Sequence, residues 1–193
     1  MNKRKKKIII CTFALILILI YMVSYVYRYI NAIKPDIRYY DKGTEMDNFG
    51  LKYTFDGKIY NSDEFIKEFG VEKYEVCGKN NEYEKKYIVV KETITKTKEE
   101  IDEVANDFRN IKIYNKYWQV GCEMELTDKI QLEEYVSPYE LNNGETTNCY
   151  QVYSIADCNL CKRLWNDVEN TTVWLELTDT GTCPYVRRIR ILN

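Results

Sequence analysis

The sequence KYIVVKETIT, residues 86–95, has the composition of a long β-strand. Its valine, isoleucine, threonine and tyrosine side chains are the types favoured on a pleated sheet. Further runs of the same kind occur on both sides of it, separated by turns that contain Gly, Asn and Asp. Short strands that follow one another in this way predict a mainly β domain, built as an antiparallel β-sandwich.

The predicted strands cover residues 51–55, 73–77, 86–95, 112–114, 117–126, 148–155, 172–177 and 185–192. The last one has the clearest pattern, because Ile189 and Ile191 alternate with Arg188 and Arg190. One face of that strand can therefore pack while the other stays in water. We expect one sandwich core that contains Ile88, Val90, Val152, Trp174, Leu175 or Leu177, and Ile189.

The predicted helices are short and suit packing better than catalysis. Asn61-Ser62-Asp63-Glu64 has the residues of an N-terminal cap, and the helix that follows would end at Gly70 and bury Phe65, Ile66 and Phe69. A second helix would begin with the capping-box spacing of Thr97-Lys98-Glu99-Glu100. A third would run from about Asn159 to Val168 and bury Leu160 and Leu164.

The N-terminus carries a long apolar segment. Residues 8–30 contain twenty successive uncharged residues, Ile8 to Tyr27, and a helix of about that length spans a bilayer. The preceding basic tail, residues 1–7, places the N-terminus in the cytoplasm by the positive-inside rule. A cleaved signal peptide is the alternative, but this run exceeds the usual length and no small-residue cleavage site follows.

These boundaries predict four parts: a cytoplasmic tail (1–7), a transmembrane helix (8–30), a juxtamembrane linker (31–37) and an extracytoplasmic domain (38–193). The first 30 residues hold six bases and no acid, which leaves 22 bases against 30 acids in the remainder, a net charge of −8. Nucleic-acid binding needs clustered Lys and Arg, so we expect no nucleic-acid partner. The expected partners are the lipid bilayer, through residues 8–30, and a surface protein, peptide or glycan.

Six cysteines lie in the predicted extracytoplasmic domain: Cys77, Cys122, Cys149, Cys158, Cys161 and Cys183. An even number in an exported domain predicts a disulfide framework, although the sequence leaves the pairing open. A four-thiolate zinc site formed by Cys149, Cys158, Cys161 and Cys183 is a weaker alternative, because only one Cys-x-x-Cys is present where structural zinc sites usually have two.

Cys158-Asn159-Leu160-Cys161 is the one motif that suggests chemistry. Where a Cys-x-x-Cys motif follows a strand and opens a helix, the helix N-terminus lowers the pKa of the first thiol. Lys162 and Arg163 would also favour the thiolate of Cys158. Thiol-disulfide exchange by Cys158 and Cys161 is therefore the enzymatic alternative. It requires a βαβ context, whereas the preceding strands predict antiparallel pairing.

No other catalytic residue is predicted. The chain has no histidine, which excludes His-dependent triads, dyads and His-ligated metals. Adjacent acids such as Glu133 and Glu134, or Asp102 and Glu103, are typical of a solvated face. We expect no cofactor and no metal site.

The order of features from Asp41 onward resembles a group of uncharacterised, membrane-anchored domains of Gram-positive bacteria with an immunoglobulin-like sandwich, related to the telethonin-like and immunoprotective extracellular antigen domains. The resemblance rests on residues 86–95, on the turn Leu141-Asn142-Asn143-Gly144-Glu145-Thr146 leading into Tyr150-Gln151-Val152-Tyr153, and on Val173-Trp174-Leu175-Glu176-Leu177. It implies an immunoglobulin-like fold and brings no catalytic residues. The extra cysteines depart from the pattern.

Together these features predict a single-pass membrane protein whose outer domain binds an unidentified ligand at the cell surface without catalysis. The enzymatic alternative is a membrane-tethered thiol-disulfide oxidoreductase that uses Cys158 and Cys161.

Overall fold

Nine strands and four helices lie in the described part of the computed structural model, which comprises residues 3–31, 36–48, 50–72, 83–99, 112–131, 135–177 and 185–193. The chain divides into two units, Met1–Pro35 and Asp36–Asn193. The predicted strand at 73–77 lies outside the described residues. So does most of the predicted second helix, and its start, residues 97–99, is not helical.

The first unit contains helix α1, Lys3–Asn31. It begins within the predicted basic tail, because lysine and arginine are good helix formers and nothing in that segment breaks the helix. Residues Thr12–Ile30 within it have a mean hydropathy of 1.9. This segment is long and apolar enough to cross a membrane.

The second unit is mainly β and contains two sheets. The strands are β1 (Asp36–Tyr40), β2 (Met46–Asn48), β3 (Leu51–Asn61), β4 (Lys85–Lys96), β5 (Lys112–Tyr114), β6 (Gln119–Gly121), β7 (Thr146–Ala156), β8 (Val173–Leu177) and β9 (Tyr185–Leu192). One sheet has the order β2-β3-β4-β7 and is antiparallel throughout; the other has the order β1-β9-β8-β5-β6.

The pairing of β1 corrects the purely antiparallel prediction. β1 begins at Asp36, inside the predicted linker, and runs parallel to β9, with Asp36 opposite Tyr185 and Tyr40 opposite Ile189. The five-stranded sheet is therefore mixed. Short segments such as 36–40 and 46–48 have little pattern of their own, and only pairing with distant strands makes them strands.

Three more helices accompany the sheets: α2 (Ser62–Phe69), α3 (Met124–Ile130) and α4 (Lys162–Asn166). The predicted cap of α2 is confirmed, because the Asn61 side chain accepts from the Glu64 amide and the Glu64 side chain accepts from the Asn61 amide. Gly70 ends the helix with a φ of 65°, a conformation that glycine adopts without strain.

The predicted third helix is shorter than expected. α4 covers five residues and lies between two 3₁₀ turns, Asp157–Asn159 and Val168–Asn170. Trp165 of α4 and Val168 of the second turn are buried, whereas Leu160 and Leu164, which were predicted to be buried, are only partly buried.

The two sheets share one apolar core. Ile88, Val90, Leu175, Leu177 and Ile189 lie in it, as predicted. Gly57 of β3 allows the sheets to approach closely, since a Cβ there would lie 3.0 Å from the Ile191 carbonyl oxygen. Two residues that were predicted to lie in this core are not buried in it. Val152 is buried on the opposite face of its sheet, and Trp174 is only partly buried.

A second apolar cluster covers the outer face of the four-stranded sheet. Phe65 of α2 stacks on Tyr87 of β4, with ring centroids 4.5 Å apart. Leu126 and Ile130 of α3 pack in the same cluster, beside Val152 of β7. α2 and α3 therefore bury this outer face, and α3 is held beside the edge strand β7.

Candidate functional site

The predicted redox pair is exposed. Cys158 lies in the 3₁₀ turn after β7, and Cys161 is the residue immediately before α4. Both thiols are free and exposed. β7 pairs antiparallel with β4, so the strand that leads into the motif lacks the βαβ context that a thioredoxin-type site requires.

The predicted disulfides are not formed among the described cysteines. Cys122, Cys149, Cys158 and Cys161 are all free, while Cys77 and Cys183 lie outside the described residues. Among the residues that the structure describes, no group of three or more Cys, Asp or Glu side chains could hold a metal ion. The acid pairs Glu133 and Glu134, and Asp102 and Glu103, also lie outside the described residues.

Two of the free cysteines, Cys122 and Cys149, are partly buried and lie at a different site. The Cys149 thiol donates a hydrogen bond to Glu92 Oε2 at 3.1 Å, and Cys122 Sγ lies 3.2 Å from Thr127 Oγ1. Burial raises the pKa of both thiols, and the neighbouring Glu92 raises that of Cys149 further. Neither thiol is activated as a nucleophile, because the thiolate is disfavoured in both places.

Glu92 is a carboxyl group inside the protein. The register of β4 and β7 places it opposite Cys149, on the face that β4 turns to the shared core. Only 2% of Glu92 is exposed. Oε2 accepts from Cys149 and, at 3.2 Å, from Gln151 Nε2, while Gln151 Oε1 accepts from the Tyr153 hydroxyl at 2.7 Å. A chain of hydrogen bonds thus fixes one side of the carboxyl group.

The other side of that carboxyl group is not satisfied. Oε1 of Glu92 is buried and has no hydrogen-bond partner within the described ranges. Burial raises the pKa of Glu92 from 4.5 to about 7, and the hydrogen bonds from Cys149 and Gln151 oppose this rise only in part. No ion pair compensates the carboxylate in the described part of the chain.

Glu92 forms part of the wall of a cleft of about 420 Å³, a volume typical of small-molecule sites. The cleft lies between β4, β7, α3 and the segment 135–139. Asp128 is the second acid in its wall, and no Lys or Arg occurs among the described lining residues. Tyr135, Tyr139 and Tyr150 provide aromatic surface.

α3 forms one wall because it covers the free edge of β7. The amide of Glu123 donates to the Val152 carbonyl at 2.7 Å, and the Val152 amide donates to Thr127 Oγ1 at 2.9 Å. One turn later, the Gln131 side chain accepts from the Tyr150 amide at 3.3 Å. These contacts satisfy backbone groups that an edge strand would otherwise expose.

The mouth of the cleft is apolar and exposed. Met124, Tyr135 and Tyr139 line the cleft and are 44%, 40% and 41% exposed. Val136, between the two tyrosines, is also exposed. Exposed apolar groups around a cleft are typical of a binding site.

The domain belongs to a family without an assigned activity. A family model described as "Domain of unknown function (DUF5028)" matches residues 39–180. The chain belongs to this family. The matched range of the DUF5028 domain includes Glu92, the whole described wall of the cleft, and Cys158 and Cys161.

Two solved structures are similar to this DUF5028 chain. One is a functionally unknown protein from Listeria monocytogenes EGD-e, with 10% identity and a TM-score of 0.46, covering 79% of this chain and 82% of that one. The other is described as "a putative lipoprotein from Staphylococcus aureus subsp. aureus NCTC 8325", with 17% identity and a TM-score of 0.44, covering 82% of this chain and 93% of that one. Comparison with curated proteins gave no match.

The family match agrees with the expected uncharacterised domain, whereas the immunoglobulin-like classification is not among these findings. Sequence reasoning missed Glu92 and α3. One signal was present, because Glu92 occupies the same alternating face as Ile88, Val90 and Ile94. A carboxylate in an apolar register is unusual, since burying a charge is costly.

Proposed function

We propose that this protein is a membrane-anchored, extracytoplasmic binding module whose ligand occupies the cleft beside Glu92. One observation carries the proposal: Glu92, whose buried Oε1 has no partner among the described residues, lines a 420 Å³ cleft whose mouth is apolar and exposed. A buried polar atom without a partner costs free energy, so a ligand that satisfies it would gain affinity. The proposed role is non-enzymatic, and the raised pKa values of the two partly buried thiols support it in so far as neither thiol is activated as a nucleophile.

The topology is part of the same proposal. The apolar segment Thr12–Ile30 supports a membrane anchor, and the bases Lys3 to Lys7 before it support a cytoplasmic N-terminus. The exposed Cys158 and Cys161 allow a direct test. A membrane-impermeant maleimide should label these positions on intact cells, and the double variant Cys158→Ser with Cys161→Ser should lose that part of the label. Labelling of the two positions only after cell lysis would overturn the orientation.

The immunoglobulin-like classification is proposed here as well. Two sheets that pack face to face over one core support it, while the parallel pairing of β1 with β9 requires a variant of the all-antiparallel arrangement.

Binding in the cleft is tested with the full-length protein in nanodiscs of phosphatidylcholine. Saturation-transfer NMR is recorded with four separate probes: pentylamine, 1-pentanol, N-acetylglucosamine and N-acetyl-tri-alanine amide. At least one probe should receive saturation, and Ser137→Trp, which fills the cleft, should abolish it. Glu140→Trp is the matched control, since Glu140 is an exposed neighbour outside the cleft. If no probe binds, or if Ser137→Trp leaves all binding unchanged, the proposal is wrong.

Thiol-disulfide exchange by Cys158 and Cys161 is the second candidate, and the exposure of both thiols favours it. A catalytic pair should have a reduction potential of about −120 to −270 mV, whereas a structural bridge lies below about −300 mV. Equilibration with glutathione or dithiothreitol buffers measures this potential. A value below −300 mV would remove the candidate.

A further inference from the structure

We propose that the cleft beside Glu92 recognises a primary ammonium group on an apolar stem, either a free amine or the side chain of a lysine-like residue in a peptide. This inference rests on the proposed function and names its ligand class.

The charge of the cleft is the first argument. Glu92 and Asp128 lie in the wall, and no described lining residue is basic. Glu92 also lacks a cationic partner elsewhere in the described structure. A buried carboxylate is stabilised by a charged hydrogen-bond donor, and an ammonium group provides both the charge and the N–H. Among the described lining residues, an anionic ligand would meet two acids and no base.

The geometry of Glu92 is the second argument. Oε2 is already engaged by Cys149 and Gln151, which leaves Oε1 as the acceptor for a ligand. Oε1 is buried. The last side-chain torsion of glutamate is soft. A rotation that turns Oε1 towards the cleft also moves Oε2, so the ammonium must replace any hydrogen bond from Cys149 or Gln151 that is lost. A primary ammonium has three N–H donors to reach Oε1, whereas a quaternary ammonium has none.

The apolar surface is the third argument. Tyr135, Tyr139 and Tyr150 line the cleft, and tyrosine rings attract cations through their faces. Met124 adds flexible apolar surface at the mouth, which suits an alkyl stem. The cleft volume of about 420 Å³ fits a small molecule or one side chain.

Binding should depend on pH through Glu92. Tyr53 of β3 and Cys149 and Tyr153 of β7 interact electrostatically with this carboxyl group. Tyr139 and Arg187 of β9 act on Tyr53, and Asp128 of α3 is the other acid that lines the cleft. Burial raises the pKa of Tyr53, Cys149 and Tyr153, so these three groups stay neutral near pH 7. Alkylamines stay protonated there, with a pKa like that of lysine, about 10.4. Amine affinity should therefore rise as Glu92 ionises.

The test measures dissociation constants by NMR titration of the full-length protein in phosphatidylcholine nanodiscs. At pH 8.5, pentylamine or Nα-acetyl-lysine amide should bind about 10-fold more tightly than 1-pentanol, a difference that corresponds to one charged hydrogen bond. The tighter of the two amines identifies the source of the ammonium. Between pH 5.5 and 8.5 amine affinity should rise about 10-fold in the wild type.

Glu92→Gln is the decisive variant, because it keeps the shape and the acceptor for Cys149 and Gln151 but cannot ionise. It should weaken amine binding about 10-fold at pH 8.5 and remove the pH dependence, while Glu145→Gln, at an exposed turn, should change neither. Equal binding of pentylamine and 1-pentanol, or amine binding that Glu92→Gln leaves intact, overturns the ammonium assignment. Binding of N-acetylglucosamine or N-acetyl-tri-alanine amide alone, neither of which has an ammonium group, would overturn it as well and keep the proposed binding function. Absence of binding by every probe would overturn both.

Discussion

Replacing Glu92 with glutamine should remove a loss of stability that the wild type undergoes between pH 4.5 and about 7. The pKa of Glu92 is raised from 4.5 to about 7 in the folded state, because burial disfavours the charged form. The folded protein therefore holds a proton between these two pH values that the unfolded chain has lost. The contribution of Glu92 to the free energy of unfolding therefore falls as pH rises through this interval and then stays constant.

The size of this effect follows from the shift. One pKa unit corresponds to 1.36 kcal/mol, so a rise from 4.5 to about 7 lowers the free energy of unfolding by about 3 kcal/mol at pH 8. Glutamine has the shape of the protonated side chain and cannot ionise. The stability difference between Glu92→Gln and the wild type should thus shift by about 3 kcal/mol in favour of the variant between pH 4.5 and pH 8. Any constant offset from the amide cancels in this comparison.

Urea denaturation of the full-length protein in detergent micelles, recorded across this pH range, measures the difference. Tryptophan fluorescence reports on the β unit alone, because Trp118, Trp165 and Trp174 all lie in it. Glu145→Gln is the control: the Asn142 amide and side chain donate to this carboxylate and lower its pKa, so its stabilising effect is lost only below pH 4.5. The stability difference between Glu145→Gln and the wild type should therefore stay nearly constant across this pH range. A pH-independent difference for Glu92→Gln would refute the reasoning. A difference that grows in favour of the wild type would mean that a cation pairs with Glu92.

Three further predictions concern packing, the edge of β7 and the cysteine pair. Gly57→Ala should destabilise the domain by about 1–3 kcal/mol in urea denaturation, because its Cβ would lie 3.0 Å from the Ile191 carbonyl oxygen, whereas Gly121→Ala has open space and should change little. Thr127→Val should cost about 1–3 kcal/mol in the same assay, because the Val152 amide loses its acceptor; a cost as small as that of the exposed Thr44→Val would contradict this. Cys158→Ser with Cys161→Ser should leave the free energy of unfolding within about 0.5 kcal/mol of the wild type, since both side chains are exposed, and a larger loss would indicate a structural role.

Local patterns in the sequence were enough for several elements. β4, β5, β7, β8 and β9 lie where the alternation and composition predicted them, with ends that differ by at most two residues. The α2 helix also follows from local residues, because its cap involves Asn61 and Glu64, three positions apart. Interactions within a few residues are encoded directly in the order of side chains.

α3 shows where local reasoning gave the wrong element. Residues 117–126 were predicted as one strand, yet they form the short strand β6 and the start of α3. Leu126 and Ile130 are spaced for one helix face, and Thr127 and Gln131 contact the edge of β7. These residues form a helix because β7 provides an apolar surface for Leu126 and Ile130 and unsatisfied backbone groups for Thr127 and Gln131.

The sequence by itself determined the apolar N-terminal span, the mainly β character of the domain, the α2 cap and the absence of histidine chemistry. The tertiary structure alone decided the parallel pairing of β1 with β9, the position of α3 and the surroundings of Glu92. Glu92 and Cys149 are 57 residues apart in the chain and meet only through the register of β4 and β7. A carboxyl pKa depends on burial and on neighbours brought together by such long-range pairing, so the chemical character of this site exists only in the folded domain.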